Sequence, residues 1–277
     1  MHLSIAGAFS HYHDIMNHIL HNKKHGINIT VYDSFMDSPW NGGRISRLNP
    51  ILPIDETLIK IKTYNKLGIG VYITFSNYII NDLYANDENA ILAELNTNPI
   101  NGVILVNDEL RRHIRALYSN LILHYSVSGF ATSVFDEHLL AELLRKYDVI
   151  CPRYEWVYNP SLYEKFDCSR LNIMLNDCCK ANCPLWSKHF RAISDANRDR
   201  NLPITQLKQI QECWLMTDKD NPSSGWACDH DLKLGMNISN IRELVDIGYS
   251  RFKLCGRDLP TTEFIGELST YWDKMHV

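Results

Sequence analysis

Short apolar runs alternate with helical patterns along the whole chain, and this alternation is the strongest constraint on the fold. Eight runs have the length of buried strands, and helical spacing of apolar residues follows most of them. The predicted strands are His2–Phe9, Ile27–Tyr32, Gly68–Phe75, Gly102–Val106, Leu121–Ser126, Val149–Cys151, Leu171–Leu175 and Arg251–Leu254. Eight such units predict an α/β protein, a single (β/α)8 TIM-like barrel domain over residues 1–277 with a long cysteine-bearing loop after the seventh strand.

An open, doubly wound sheet is the alternative interpretation of the same alternation. That fold normally carries a GxGxxG phosphate loop after its first strand, and the stretch from Gly7 to Phe9 lacks this motif. The closed barrel is therefore favoured.

Polar side chains follow the end of almost every predicted strand. Active sites of barrels lie at this carboxyl face, so these residues are candidates for function. Capping of the next helix by Asn, Asp or Ser is the alternative explanation for each position taken singly. The candidates for substrate binding are Trp40, Asn41, Arg44, Asn77, Asn107 and Tyr154, and those for catalysis are Asn176, His189, His124 and Arg257.

Four of these candidates have a specific expected role. Arg44 and Arg257 are suited to gripping a carboxylate or phosphate, although a structural ion pair explains Arg44 equally well. Trp40 fits either a loop anchor or a platform for substrate. His124, at the end of the fifth predicted strand, is the histidine expected inside the barrel mouth.

Thiols are concentrated in the excursion between the seventh and eighth predicted strands, which ends near Met236. The predicted metal ligands are the four spaced cysteines Cys179, Cys183, Cys213 and Cys228. Connections this long are functional or disordered, and four spaced thiols favour function. Four thiolates suit a structural zinc or an iron–sulfur cluster, and the spacing alone identifies neither. Cys178 and His230 are alternative ligands.

A cysteine hydrolase is a further hypothesis from the same residues. Cys179 would serve as nucleophile and His189 as base, an arrangement that leaves the other thiols of the excursion without a role.

Composition indicates the cellular compartment and the class of binding partner. Eight cysteines with no recognisable signal peptide are typical of a reducing compartment, so a cytoplasmic protein is expected. The formal net charge of -4 argues against a basic nucleic-acid-binding face. No apolar run has the length of a transmembrane helix, so no membrane partner is expected.

Several motifs resemble those of barrel proteins related to the peptidase U32 family. The stretch from Asn176 to Pro184, followed by His189 and Phe190, resembles an N-E-x-C-x₃-C-P…H-[FY] motif. The closing FKLCGR (residues 252–257), with WNGGR (residues 40–44) and TFSN (residues 74–77), is similar to further motifs of that group. The resemblance runs through nearly the whole chain in the same order and implies the barrel fold.

The better understood relatives resemble oxygen-independent hydroxylation factors for ubiquinone precursors or RNA bases, and some act with partner proteins. They carry a 4Fe–4S cluster on four cysteines. The resemblance assigns this role here to Cys179 and Cys183, which match the motif, and to Cys213 and Cys228 as further thiols of the same excursion. This chain differs in having Asp177 for the motif's Glu and an additional thiol at Cys178. It also shows no added RNA-binding domain, so the expected substrate is a small molecule or peptide, with a protein partner or electron donor.

Overall fold

Strands and helices alternate throughout the part of the chain that the structure describes. The computed structural model describes residues 1–22, 26–35, 38–45, 52–177, 182–183, 185–199, 201–211, 234–257 and 259–275, with only the backbone at 177, 209, 211 and 234. Its strands are β1 (His2–Ala6), β2 (Asn28–Asp33), β3 (Gly70–Phe75), β4 (Gly102–Leu105), β5 (Ile122–Tyr125), β6 (Val149–Ile150), β7 (Asn172–Met174), β8 (Asn176–Asp177), β9 (Leu234–Gly235) and β10 (Arg251–Leu254). Its helices are α1 (Tyr12–Asn22), α2 (Ile54–Lys66), α3 (Asn86–Leu95), α4 (Asp108–Leu117), α5 (Glu137–Lys146), α6 (Pro160–Tyr163), α7 (Trp186–Arg198), α8 (Ile204–Gln211), α9 (Ile238–Ile247) and α10 (Thr261–Lys274).

Eight parallel strands form the barrel that the alternation predicts. Neighbouring strands pair in the order β6-β5-β4-β3-β2-β1-β10-β7. A parallel bridge between Ile150 and Leu171 joins the two ends of this sheet and completes the ring. The prediction of a TIM-like barrel is confirmed, and each predicted strand coincides with an observed one to within a few residues.

The two faces of the strands differ in chemistry. Contacts that skip a strand mark the inner face: Asn172 on β7 donates to Ser4 on β1 (3.3 Å), and the Tyr72 ring on β3 lies 4.6 Å from His124 on β5. Alternation then assigns the outer face to fully buried side chains that pack beneath the helices: Leu3, Ile5, Val31, Val71, Ile73, Val103, Leu105, Leu123, Ile173, Phe252 and Leu254. The apolar core therefore lies between ring and helices, and the barrel interior is largely polar.

The two ends of the excursion after β7 lie next to each other. Asn176 pairs with Gly235 and Asp177 with Leu234 in an antiparallel β8–β9 ladder. Between these strands, α7 and α8 pack on each other through a small apolar cluster that contains Ile193 and Leu207. The expected long loop is therefore anchored at its base and carries two helices.

No helix in the described part of the chain combines the length and the apolarity needed to cross a bilayer.

A matched pair of substitutions tests the position of the core. Ile73 on the outer face of β3 is fully buried, whereas Ile59 on α2 is 63% exposed. We expect Ile73→Ala to lower the free energy of unfolding by about 2–5 kcal/mol, because it leaves a cavity beneath the helices. Ile59→Ala removes the same atoms from the surface, so its effect should stay within about 0.5 kcal/mol. Urea unfolding measures both, and equal losses would contradict this core.

Candidate functional site at the mouth of the barrel

Asn77, directly after β3, is the centre of a hydrogen-bond network that holds the loop following β2. Its side-chain amide donates to the carbonyls of Pro39 (2.9 Å), Asn41 (3.1 Å) and Ser194 (2.9 Å). Its backbone N–H donates to the carbonyl of Trp40 (2.9 Å). Because Asn77 is 1% exposed, it positions the loop through these bonds while lying beneath the surface.

A second buried amide attaches α7 to the same loop. The Asn197 side chain donates to the carbonyls of Asn41 (2.9 Å) and Arg44 (2.6 Å). The Asn41 side chain donates in turn to the Phe35 carbonyl (3.0 Å). Helix α7, which follows Cys183, is therefore docked onto the loop after β2 by these hydrogen bonds.

Trp40 has the contacts of a loop anchor. Its indole N–H donates to the Asp82 carbonyl (2.8 Å), and its ring meets Phe75 edge-to-face at 5.2 Å. With 1% of its surface exposed, the side chain is packed in the interior. Of the two interpretations of Trp40, these contacts favour the anchor over the substrate platform.

The glycine in this loop is required by a close approach of two backbones. A Cβ added to Gly42 would overlap the carbonyl group of Ser76 and lie 2.9 Å from the Asn77 nitrogen. The motifs WNGGR and TFSN are therefore the two halves of one contact, in which the first loop lies directly on the end of β3.

A pair of glycine substitutions tests this contact. We expect Gly42→Ala to lower the melting temperature, because the backbones at the end of β3 must move apart to admit the new methyl group. The same substitution at Gly266 meets nothing within 4 Å in the middle of α10 and should stabilise the chain by about 0.5–1 kcal/mol through helix propensity. Thermal unfolding by circular dichroism compares them, and an unchanged melting temperature in Gly42→Ala would refute the contact.

Arg153 and Glu155 form a buried, bidentate ion pair after β6. Arg153 Nε donates to Glu155 Oε2 (3.0 Å) and Nη2 donates to Oε1 (2.6 Å). The side chains are 1% and 11% exposed, so the pair lies in a region of low dielectric constant. Planar double hydrogen bonding of this kind fixes both side chains in one orientation.

This ion pair holds the described part of the cysteine motif. Glu155 Oε1 also accepts the backbone N–H of Asn182 (2.6 Å), which adopts a left-handed conformation with φ of 55°. Cys183 follows and is buried, and its carbonyl accepts the N–H of Trp186 (3.3 Å). The Trp186 ring lies 4.0 Å from the Arg153 guanidinium. Cys183 therefore lies at the carboxyl end of the barrel, between the β6 loop and the start of α7.

Two buried donors beside Cys183 lack an acceptor in the structure. Arg153 Nη1 and the indole nitrogen of Trp186 are both buried without a hydrogen-bond partner. Buried donors are normally satisfied, so such a pair marks a place where an acceptor or an anionic group belongs. This observation has no counterpart in the sequence pattern.

Protonation of Glu155 links the ion pair to stability. Burial alone would raise the pKa of Glu155, but hydrogen bonds from Arg153 and from the Asn182 backbone outweigh it and lower this pKa below the usual 4.5. A lowered carboxyl pKa contributes stability that is present above the ordinary value and is lost as the pH falls through the folded value. The ion pair should therefore weaken only in acid.

Removal of the Glu155 charge tests this linkage. We expect Glu155→Gln to lower the free energy of unfolding by about 3–5 kcal/mol at neutral pH, because it leaves a buried guanidinium without its counterion. The difference from wild type should shrink as the pH falls below about 4.5. Glu137→Gln, which removes an exposed partner of Lys165, is the matched control and should change little. A pH-independent difference would refute the linkage.

The other predicted catalytic residues make identifiable contacts around the mouth. The Asn176 side-chain amide donates to the Glu267 carboxylate (2.6 Å) and to the Cys255 carbonyl (3.2 Å). Its oxygen accepts the Cys255 N–H (2.7 Å). Arg257 donates to the Ser34 hydroxyl (2.8 Å) and lies 3.7 Å from Asp33, the last residue of β2. These contacts tie the ends of β7 and β2 to the loop after β10. The catalytic roles of Asn176 and Arg257 stay predictions.

Three further candidates also take part in structural contacts. His189 Nε2 lies 3.0 Å from the Ile210 carbonyl at the end of α8. Asn107 caps α4 by accepting the Leu110 N–H (2.8 Å), which matches the capping explanation for this position. Tyr154 is packed against the core, and burial followed by the Glu155 charge raises the pKa of its hydroxyl.

The remaining predicted ligands cannot be placed. Cys179, Cys213 and Cys228, together with the alternatives Cys178 and His230, lie outside the described residues. Within the described ranges, no group of three or more His, Cys, Asp and Glu side chains is arranged to hold a metal.

Lys253 is a buried cation in the barrel interior that the sequence argument missed. It is 7% exposed, and its ammonium group lies 4.3 Å from the centre of the Tyr32 ring. His124 lies in the same interior and is 2% exposed, as expected of a residue inside the barrel. Burial, followed by the charges of Lys253 and Arg251, lowers the pKa of His124 well below its ordinary value, so its ring is neutral at neutral pH. The alternation of Arg251 and Lys253 with Phe252 and Leu254 is the signal that places Lys253 inside.

Comparison with known proteins bears on the fold. The structure is similar to that of the U32 peptidase Mk0906, with a TM-score of 0.52 and 13% sequence identity over 92% of this chain and 93% of the other. The chain folds as a U32-like barrel. No family model matches the sequence, and no curated protein matches it significantly. At this level of identity the U32-like similarity concerns the architecture alone.

Proposed function

We propose that the chain is an iron–sulfur enzyme, or a subunit of one, that modifies a small molecule or peptide without oxygen, by hydroxylation or a related reaction. Its 4Fe–4S cluster would be bound by Cys179, Cys183, Cys213 and Cys228. The observation that carries the proposal is the position of Cys183, buried at the mouth of a U32-like barrel beside two donors that lack acceptors.

The surroundings of Cys183 fit an anionic, sulfur-rich group. A cluster bound by four thiolates carries negative charge, and hydrogen bonds to its sulfur atoms are among the factors that set its potential. Arg153 Nη1 and Trp186 Nε1 are buried donors of the required kind. Helix α7 also begins three residues after Cys183. The N-terminal end of a helix favours a negatively charged group, because the helix dipole is positive there.

The residues of the chain have distinct tasks in this proposal. When bound, the cluster supplies single-electron transfer. Glu155 fixes the Asn182 backbone and thereby the position of Cys183, while Asn77 and Asn197 keep α7 against the barrel. The same packing places the proposed cluster ligand at the end of the barrel where substrates of this architecture bind. A protein partner or small carrier would deliver electrons to this face.

Replacement of single cysteines tests the cluster. We expect Cys179→Ala and Cys183→Ala to lose iron, sulfide and visible absorbance near about 400 nm, because each removes a cluster ligand. Cys168→Ala is the matched control: this thiol contacts the Tyr163 and Phe166 carbonyls before β7, at the opposite end of the barrel, and should retain the cluster. The measurement is metal and sulfide analysis with a visible spectrum on protein purified without oxygen. Full retention in both ligand variants would refute the proposal.

The same measurement separates the alternatives. Stoichiometric zinc without sulfide would indicate a zinc-stabilised binding barrel that catalyses no reaction. A metal-free protein that thiol alkylation inactivates would instead support the hydrolase with Cys179 and His189.

A further inference from the structure

Lys253 is buried in the barrel interior without a counterion among the described residues. Its ammonium group lies over the Tyr32 ring, and the neutral His124 lies in the same interior. Within the described residues, no carboxylate lies within 4.0 Å of its ammonium group, and the inner-face strand positions include no Asp or Glu. A cation–π contact offsets only part of the cost of removing an ammonium group from water. The interior therefore carries positive charge that a ligand is able to neutralise.

The other cations nearby do not change this balance. The Arg251 guanidinium donates to the Ser169 carbonyl at the opposite end of the strand (2.7 Å). Burial, then the Arg251 charge, lowers the pKa of His2 to about 3, so His2 is neutral as well. Among the described residues, the interior thus offers one ammonium group to a ligand, which suits a single negative charge.

Polar atoms without partners also face this interior. His124 Nε2, Thr74 Oγ1 and Asn172 Oδ1 are buried and have no hydrogen-bond partner. Thr74 lies on the same face of β3 as Tyr72, whose ring contacts His124 across β4. Buried polar atoms of this kind are rare in a filled core and expected in a binding site.

The inner face of β10 continues past Lys253 to a partly exposed residue. Cys255, two residues beyond Lys253 on the same face, is partly exposed and accepts a hydrogen bond from the Tyr32 hydroxyl (3.5 Å). The Tyr32 ring offers a flat apolar surface beside Lys253, and the Tyr72 ring lies beside His124 in the same interior.

We propose that the barrel interior binds a small organic monocarboxylate, with its carboxylate on Lys253 and its apolar body against the tyrosine rings. A single ammonium group neutralises one carboxylate, whereas a phosphate dianion would leave excess charge buried. This site is formed by the barrel strands alone, so the proposal holds whether or not the excursion binds a cluster.

Ligand-dependent thermal unfolding tests the proposal with benzoate, its neutral counterpart benzamide and inorganic phosphate as probes. Benzoate should raise the melting temperature of wild type in a concentration-dependent way, and benzamide and phosphate should not. Lys253→Met should weaken benzoate binding about tenfold or more, and Lys253→Arg should retain more of it. Lys62→Met, which removes an exposed lysine paired with Glu94, is the control and should bind as wild type. Equal benzoate responses in wild type and Lys253→Met, or a response to phosphate alone, would overturn the proposal.

Two further measurements distinguish a loss of ligand binding from a loss of folding. Without ligand, Lys253→Met should melt at or above the wild-type temperature, because it removes an unmatched buried charge; a marked loss would instead show that the lysine is structural. In wild type, benzoate should slow acetylation of Lys253 severalfold and leave that of Lys62 unchanged, as measured by mass spectrometry. Absence of protection would contradict binding at Lys253 independently of any variant.

A cysteine variant separates this site from the proposed cluster. Cys183→Ser should keep the benzoate response even when iron is lost. Loss of that response with the iron would overturn the assignment of the site to the barrel strands.

Discussion

The hydrogen-bonded closure of eight parallel strands is the constraint on which the rest of the structure depends. Once Ile150 and Leu171 join β6 to β7, every strand points its carboxyl end to the same rim. Loops that are far apart in sequence then meet: the loop after β2 lies on the end of β3, and the loop after β6 holds the segment after β7. The site is a consequence of this closure, because no single loop contains enough contacts to form it.

Buried amides and the Arg153–Glu155 ion pair fix the positions of the loops that meet at this rim. Asn77 and Asn197 satisfy backbone carbonyls from the β2 loop and from α7, where water has no access. Glu155, which Arg153 holds in place, accepts the backbone N–H of Asn182. Each polar group is costly to bury alone and favourable when its partners are in place, so the contacts favour one arrangement of the loops.

The fold was more predictable from sequence than the roles of individual residues. Strand positions follow from local composition and spacing, and the eight predicted strands are observed. The role of Trp40 depends instead on contacts with Asp82 and Phe75, which no local pattern contains. Lys253 was missed because it was interpreted as part of a motif, although its alternation with Phe252 and Leu254 already indicated an inward side chain. The β8–β9 pairing joins residues far apart in the chain and left no periodic signal.

That pairing makes the excursion a closed side branch of the barrel. Because its two ends lie next to each other, changes in the length of residues 212–233 need not alter strand register, and the entropic cost of a longer loop grows only slowly. The branch is nevertheless tied to the rim by α7. Insertions and deletions during evolution are therefore expected beyond α8, where they leave the ring and its inward-facing side chains in place.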